Sequence, residues 1–361
     1  MATFSVDVFP VVIQPHENAD SLEIALIAGY KSIVLKGRYK TGDLVAYIPE
    51  GSVVPDSIIE EMGLTGKLSG PKKNVVRAVR LRGIFSQGIC YPARPEWAEG
   101  QNVADVLGII KYEPEPPGHL RGEVNSIPIE LRFKYDINNL KRYPDLFQDG
   151  EMVVMTEKCH GTFTVIGLMT PDFTKSGEIE TLVSSKGLFG SGLIFKTEEG
   201  KNERNVYVRM VHKLNPVERI QNVFGHNNVV YILGEIFGTG VQDLQYNQAT
   251  PTFRIFDIFV GTPHNGRFLN DDELEQACKD LDIPRVPVLY RGPFSNEMVA
   301  THTNGFETIS GNQVHIREGV VIRPVVERKM ENIDLPCWGR VQLKSISESY
   351  LLRKGNVTEF Q

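Results

Sequence analysis

The chain has 361 residues, of which 41% are hydrophobic and 23% charged, enough for two domains that each bury a core. This balance and a mean hydropathy of −0.19 argue for an ordinary globular chain rather than a disordered or membrane-bound one. A net charge of −6 argues against coating nucleic acid by bulk charge, so any such partner must be held through focused contacts. No run approaches the roughly 20 apolar residues of a membrane span, and "MATFSVDVFP" lacks the basic start and apolar core of a signal peptide. A cytoplasmic or otherwise intracellular monomer without membrane contact is therefore expected. Cys90, Cys159, Cys278 and Cys337 show no metal-ligand spacing, so reduced thiols are expected rather than a disulfide framework or a zinc site.

From residue 4 to about 54 the chain reads as short strands, "TFSVDVFPVVIQ", "SLEIALIAG", "KSIVLKG" and "DLVAYIP", broken by turn-forming stretches. A further strand, "NVVRAVRLRG", ends at Gly83. Many short strands with glycine-rich turns predict a small β-barrel, and the OB-fold is the candidate because it binds oligonucleotides. Two-residue periodicity would put Arg80 and Arg82 on one face, where they could hold phosphates. "YEPEPPGHLRGEV" concentrates Pro, Gly and charge as linkers do. The expected division is an OB-like nucleic-acid-binding domain over 1–112, a linker over 113–124 and a second domain over 125–361.

The second domain mixes strands "MVVMTEK", "FTVIGLM", "TLVSSKG", "VVYILGEIFG", "FRIFDIFV", "GVVIRPVV" and "RVQLKSIS" with helices near "ERNVYVRMVHKLN" and "DDELEQACKDL". Runs of strands without regular intervening helices predict an α+β fold on mainly antiparallel sheets. Four charges stand at the ends of apolar strands: Lys158, Glu235, Glu318 and Lys344. A lone charge in a core costs several kcal/mol, so such groups gather around one another or around a ligand. Two lysines and two carboxylates suit a polyphosphate with a divalent cation, and Mg²⁺ takes one or two carboxylates plus phosphate oxygens. The chain has no GxxxxGK[ST] loop and no paired-glycine dinucleotide fingerprint in a strand-turn-helix unit, which disfavours P-loop and Rossmann chemistry.

"EKCHGTF" at 157–163 resembles the first motif of the lysine nucleotidyltransferase superfamily, in the form found in nick-sealing RNA ligases. "SSKG" at 184–187, "LGEIFGTGVQ" at 233–242, "FRIFDI" at 253–258, "EGVVIR" at 318–323 and "VQLK" at 341–344 follow in the family's order. "HENADSLEIALI" and "VLKGRYKTGDLVAYIPEGSVVP" are similar to OB modules, and an OB module ahead of the catalytic domain resembles Deinococcus-type RNA ligases.

The resemblance implies an ATP-dependent RNA ligase that joins 3′-hydroxyl and 5′-phosphate ends through lysyl-AMP and RNA-adenylate, on RNA or an RNA-containing nicked duplex, with Mg²⁺ or Mn²⁺. It implies Lys158 as nucleophile, Glu157 at the purine, His160 and Glu235 at the ribose and Gly161 as a turn beside the nucleotide. It further implies Lys186 and Lys344 at phosphates, Glu318 at the metal, and Phe253 stacked on adenine while Phe256 packs in the core. Where relatives carry two lysines as K-x-K, this chain has Gln342 and Lys344, and Arg340 on the same face is the candidate for the missing cation. Competing readings are a noncatalytic RNA-binding protein with a degenerate pocket, a DNA ligase or an RNA-capping guanylyltransferase.

Overall fold

A computed structural model describes residues 4–112 and 121–353. The linker expected at 113–124 lies mostly outside the described residues. Of those described, 4–112 cluster into one compact unit with 139–145 and 348–353, and 121–138 with 146–347 form another.

The first unit carries β1 (Asp7–Pro10), β2 (Val12–Pro15), β3 (Leu22–Ile27), β4 (Tyr30–Leu35), β5 (Leu44–Ile48) and β6 (Ser52–Val53), then α1 (Asp56–Glu61). After them come β7 (Val79–Leu81), β8 (Ile84–Ser86), β9 (Ile89–Pro92), α2 (Ala104–Leu107) and β10 (Ile110–Lys111). Strands β1, β5 and β9 form one antiparallel sheet and β2, β3 and β4 another, as small barrels require. Alternation buries Val8, Ala46, Ile48 and Tyr91 in one cluster, and Ala25, Ile27, Val45 and Tyr47 in a second.

The expected arginine face is corrected here. Arg80 lies in β7, but the strand ends at Leu81, and Arg82 with Gly83 forms the two-residue turn into β8. Both turn residues are left-handed, with φ of 48° and 89°, the conformation that a type I′ hairpin demands. The turn breaks the two-residue period, so the two arginines do not share a strand face. Arg80 instead donates to the Gly83 carbonyl and lies 3.6 Å from Glu348.

The second unit holds β11 (Val124–Ser126), β12 (Asn138–Asn139, at its margin), β13 (Met152–Lys158), β14 (Thr162–Met169), β15 (Glu180–Ser185), α3 (Lys186–Gly190) and β16 (Leu193–Phe195). Next are α4 (Val206–Leu214), α5 (Pro216–Phe224), β17 (Val230–Phe237), β18 (Thr252–Val260), β19 (Arg267–Phe268), α6 (Asp271–Asp280) and β20 (Val288–Pro293). Last come α7 (Asn296–Thr303), β21 (Gly319–Pro324), α8 (Pro336–Gly339) and β22 (Leu343–Ile346). Two five-stranded sheets result, ordered β12-β22-β21-β13-β20 and β15-β14-β17-β18-β19, the α+β antiparallel architecture expected. Helix α4 starts where the Asn205 side chain accepts from the Tyr207 and Val208 amides, and α6 starts at an Asn270–Glu273 capping box. One face of the second sheet packs under α4, α5 and α6 through Ile166, Ile232, Ile255 and Leu274; the other buries Val165, Tyr231, Leu233 and Phe259 with Phe133 and Tyr135.

Between the two sheets runs a polar network, buried except at Glu327, whose side chain is 14% exposed. Arg340, just before β22, grips Asp257 of β18 with two hydrogen bonds of 2.7 and 2.8 Å and Glu327 with two of 2.6 and 2.7 Å. Its remaining donor reaches Gln342 Oε1 at 3.1 Å, and the one hydroxyl proton of Tyr135 goes to Asp257, with the Tyr135 oxygen 3.0 Å from Gln342 Oε1. Arg323 of β21 bonds Asp271 at 3.0 Å and Glu327 at 3.2 Å. All five Arg340 donors are thus committed, so it cannot supply a phosphate-facing cation, which corrects that expectation. Gln342 accepts from Arg340 and donates its Nε2 to Asp257 at 3.3 Å, and no lysine can fill the acceptor role.

Burial alone would raise the Asp257 carboxyl, but the Arg340 guanidinium outweighs it and holds the group below its ordinary value. A depressed folded pKa contributes stability that is present above the unfolded value of about 3.9 and is lost as pH falls through the folded one. Arg340→Met should therefore cost about 3–5 kcal/mol by urea unfolding at pH 7. It should also flatten the loss of stability below about pH 4; a cost under about 1 kcal/mol would mean that the pair does not hold the sheets.

Candidate active site

Strand β13 delivers Lys158 at its end, opposite Gly319 at the start of β21. Glu318, 1% exposed, immediately precedes that strand, and its Oε1 lies 2.6 Å from Lys158 Nζ. His160 is fully buried, with Nε2 2.9 Å from Asp243 Oδ1 and Nδ1 3.7 Å from Glu318 Oε2. Its backbone N–H donates to the Tyr246 hydroxyl at 2.6 Å, and the Tyr246 N–H donates to His315 Nε2 at 3.3 Å. Tyr246 and Asn247 both hold φ near 55°, a costly conformation for non-glycine residues that clusters at functional sites.

Gly161 is required for close approach rather than for a turn. A Cβ there would lie 2.2 Å from the Ile236 carbonyl oxygen and 3.0 Å from Glu235 Cγ. The expectation of a glycine turn gives way to a packing reason, since Gly161 is not left-handed and its backbone lies against β17. That packing brings Glu235 of β17 beside the Lys158–Gly161 segment. Cys159 sits among Glu157, Glu235 and Glu318, and burial followed by these carboxylates pushes its thiol well above the ordinary value, so it is no nucleophile.

Glu157 alternates to the face away from Lys158. Its Oε2 accepts from the Thr308 N–H at 2.9 Å and the Thr308 hydroxyl at 2.5 Å, while Oε1 is buried with no hydrogen-bond partner among the described residues. Burial raises its pKa, and the Thr308 donors and the nearby Arg317 offset part of that rise. Arg317 shapes the Thr308 loop by donating to the carbonyls of His302, Asn304 and Phe306.

Lys344 on β22 is opposite Val321, which is opposite Thr156 of β13. Two-residue alternation therefore places Lys344 on the sheet face of Lys158, two strands away. Lys186 opens α3 with Nζ 3.1 Å from Asp136 Oδ1. Arg323, at the end of "EGVVIR", is 2% exposed and belongs to the buried network.

The structure buries Phe253 and leaves Phe256 half-buried, the reverse of the burial expected. Phe253 is 3% exposed and packs on the helix side of the sheet, its ring filling the space that a side chain at Gly234 would need. Glu235 lies on the opposite face, aligned with Phe163 and Arg254. Phe256 is the extra residue of a β-bulge, because β18 runs Ile255 to Asp257 where β17 runs only Gly234 to Leu233. The bulge turns the half-buried Phe256 toward Tyr135, Phe163 and the cluster containing Cys159. Strict alternation misses such an insertion. Asp243, Tyr246 and Thr308 were also not anticipated, since they sit in irregular loops without periodic signal.

A family model described as RNA ligase matches residues 151–341, more than half of the chain. The chain belongs to the RNA ligase family. An OB-fold domain model matches residues 8–93 of this ligase. A search of curated proteins found no match. Among solved structures, a Naegleria gruberi RNA ligase mutant with ATP and Mn is similar at 20% identity and a TM-score of 0.76, over 96% of this chain and 97% of that one. A mutant of the same ligase with AMP and Mn gives 21% and 0.77 over 96% and 97%, and the ligase with PPi gives 21% and 0.77 over 97% and 98%. At these identities the ligases share the fold.

Gly161→Ala should force the Lys158–Gly161 segment off β17 and cost about 1–3 kcal/mol, the range for overpacking. Thermal unfolding measures this directly, and an unchanged midpoint would show that the segment can move aside freely.

Proposed function

We propose that this chain is an ATP-dependent RNA ligase that works through a covalent lysyl-AMP. The observation that carries the reading is the Lys158–Glu318 contact of 2.6 Å at the heart of the ordered motifs. In the first step the neutral Lys158 amine attacks the α-phosphorus of ATP, forming a P–N bond and giving up one N–H proton to solvent, as pyrophosphate leaves with the electron pair of the broken P–O bond. An RNA 5′-phosphate oxygen then attacks the same phosphorus, the P–N bond breaks, and Lys158 recovers its electron pair and a proton. Finally a 3′-hydroxyl attacks the activated 5′-phosphorus and AMP leaves.

Positioning and charge stabilisation account for most phosphoryl-transfer catalysis, and this arrangement supports both. Glu157 is pinned by Thr308 with one acceptor oxygen left over, which suits the amino group of adenine and opposes the carbonyl of guanine. Phe256, not Phe253, is the aromatic on the side of Glu235, and we assign it the adenine stack. His160 and Glu235 serve the ribose, Gly161 lets the strand pass, and Lys186 and Lys344 face phosphates. Glu318 offers hard carboxylate oxygens to Mg²⁺ or Mn²⁺, ions that suit such donors together with phosphate oxygens. When bound, the cation neutralises charge on the α-phosphate.

The substrate in this reading is RNA or a nicked duplex containing RNA, with residues 1–112 as the OB-like RNA-binding domain and 125–361 as the catalytic domain. The known fold relatives that were solved with ATP or AMP and Mn support the nucleotide and metal assignment. Incubation with α-labelled ATP and Mg²⁺ or Mn²⁺ should label the protein, and Lys158→Ala should abolish the label. A nucleotide-free preparation that takes up no label would overturn the reading.

The two phenylalanines separate binding from packing. Phe256→Ala should raise the KM for ATP by about tenfold, as loss of one base stack of about 1–3 kcal/mol requires, with little change in fold. Phe253→Ala should instead cost about 3–5 kcal/mol of stability as a core cavity. Adenylation kinetics beside urea unfolding tell these outcomes apart, and a reversed pattern would return the stack to Phe253.

A further inference from the structure

Away from Lys158, a cavity of about 440 Å³ opens in the catalytic unit, lined among others by Arg132, Phe133, Lys134, His264, Cys337 and Trp338. Trp338 is 44% exposed although its ring is 5.4 Å from that of Phe133 and 5.6 Å from that of Phe259. The backbone that presents it is unusual: Cys337, Trp338 and Gly339 are left-handed in succession, with φ of 53°, 59° and 79°. Two consecutive non-glycine residues in that region persist only where the surroundings enforce them. Here Cys337 Sγ is held 3.5 Å from the Lys134 carbonyl, and the Met330 N–H donates to the Gly339 carbonyl at 2.8 Å.

The charge around the ring is mainly of one sign. Lys329 Nζ lies 5.9 Å from the Trp338 ring centroid, and Arg132, Lys134 and His264 are exposed on the cavity wall, against the single carboxylate of Glu130. Among the described residues, Lys134 and Lys329 make no salt bridge. The segment 132–136 also links this cavity to the candidate active site. Arg132 and Lys134 alternate with the buried Phe133 and Tyr135, and Asp136 then pairs with Lys186 at 3.1 Å.

An exposed aromatic face beside cations is how proteins hold unpaired nucleotides: the base stacks and the phosphates meet the charges. We infer that Trp338, with Lys134 and Lys329, forms a stacking site for one unpaired nucleotide of a single-stranded RNA segment. The inference deepens the ligase reading and rests on it for the choice of RNA. The stack accepts any base, because every base offers a π-face, so the site adds affinity without sequence preference.

The chain has only two tryptophans, and Trp97 is buried at 6% exposure, so a bound base can stack on and quench Trp338 but not Trp97. Titration of the full chain with single-stranded oligouridylate should quench the emission saturably, and Trp338→Phe should lose that quench. In anisotropy with labelled RNA, Trp338→Ala should bind roughly 5- to 150-fold more weakly, the range set by one lost base stack, and Trp338→Phe within about threefold of the unaltered chain. Lys134→Ala and Lys329→Ala should each reduce the salt slope of binding by about 0.7, as expected for one phosphate contact on a single strand. Unchanged affinity in Trp338→Ala, or no quench in the unaltered chain, overturns the inference. Self-adenylation is measured on the same samples: its absence from the unaltered chain counts against the ligase reading, whereas normal adenylation with unchanged RNA affinity in Trp338→Ala counts against this site alone.

Discussion

The catalytic unit depends on one buried ion pair, Asp257 with Arg340. The two five-stranded sheets meet there, with Asp257 on a strand of one and Arg340 leading into a strand of the other. Removing two charges from water is repaid only if every donor and acceptor finds a partner, since a half-satisfied network is worse than an apolar one. Tyr135, Gln342, Glu327 and Arg323 complete that set, and the Arg340 guanidinium also lies 3.8 Å from the Phe268 ring centroid. The pair therefore gives registry as much as stability: any slip of β22 by one residue would point Arg340 away from Asp257.

Registry matters because the same strands carry the candidate chemistry. Lys344 lies two residues beyond Gln342, so the network that fixes Gln342 also fixes the face and depth of Lys344. Lys158 and Glu318 stand at the ends of β13 and β21, strands paired residue by residue from Val153 to Lys158. A positional error of about 1 Å at a reacting group costs about a hundredfold in rate, so a rigid charged tie behind the pocket is a physical requirement of such a site. Gln342 in place of a second lysine thus reads as a change of duty, from cation to hydrogen-bond acceptor.

Much of this architecture was legible in the sequence. Apolar runs with period two located most long strands, the stretches "ERNVYVRMVHKLN" and "DDELEQACKDL" located α4 and α6, and charged strand ends drew attention to Lys158, Glu235, Glu318 and Lys344. Local rules failed where an insertion or a loop intervened. Arg82 looked like a strand residue until a tight turn claimed it, and the bulge at Phe256 reversed the two aromatics of "FRIFDI". Arg340 looked available because a sequence shows a charge but not its partners, and Asp257 stands 83 residues away. Asp243 and Thr308 were invisible for the same reason: each acts on a residue of the first motif across a long stretch of chain.

The overall charge bears on how such a ligase would hold RNA. With a net charge of −6, the long-range field of the chain repels a polyanion, and at physiological salt that field fades within about 8 Å. Affinity must then come from contacts shorter than the screening length, where a few lysines and stacked rings outweigh the mean charge. In the proposed reading Lys186 at the start of α3 and Lys134 with Trp338 farther along are local features of this kind, joined by the segment 132–136. A strand bound along that line would be held by position rather than by bulk attraction. For a reaction that must bring two particular ends into line, short-range contacts place the ends, whereas a uniformly basic surface would hold RNA equally well in unproductive registers.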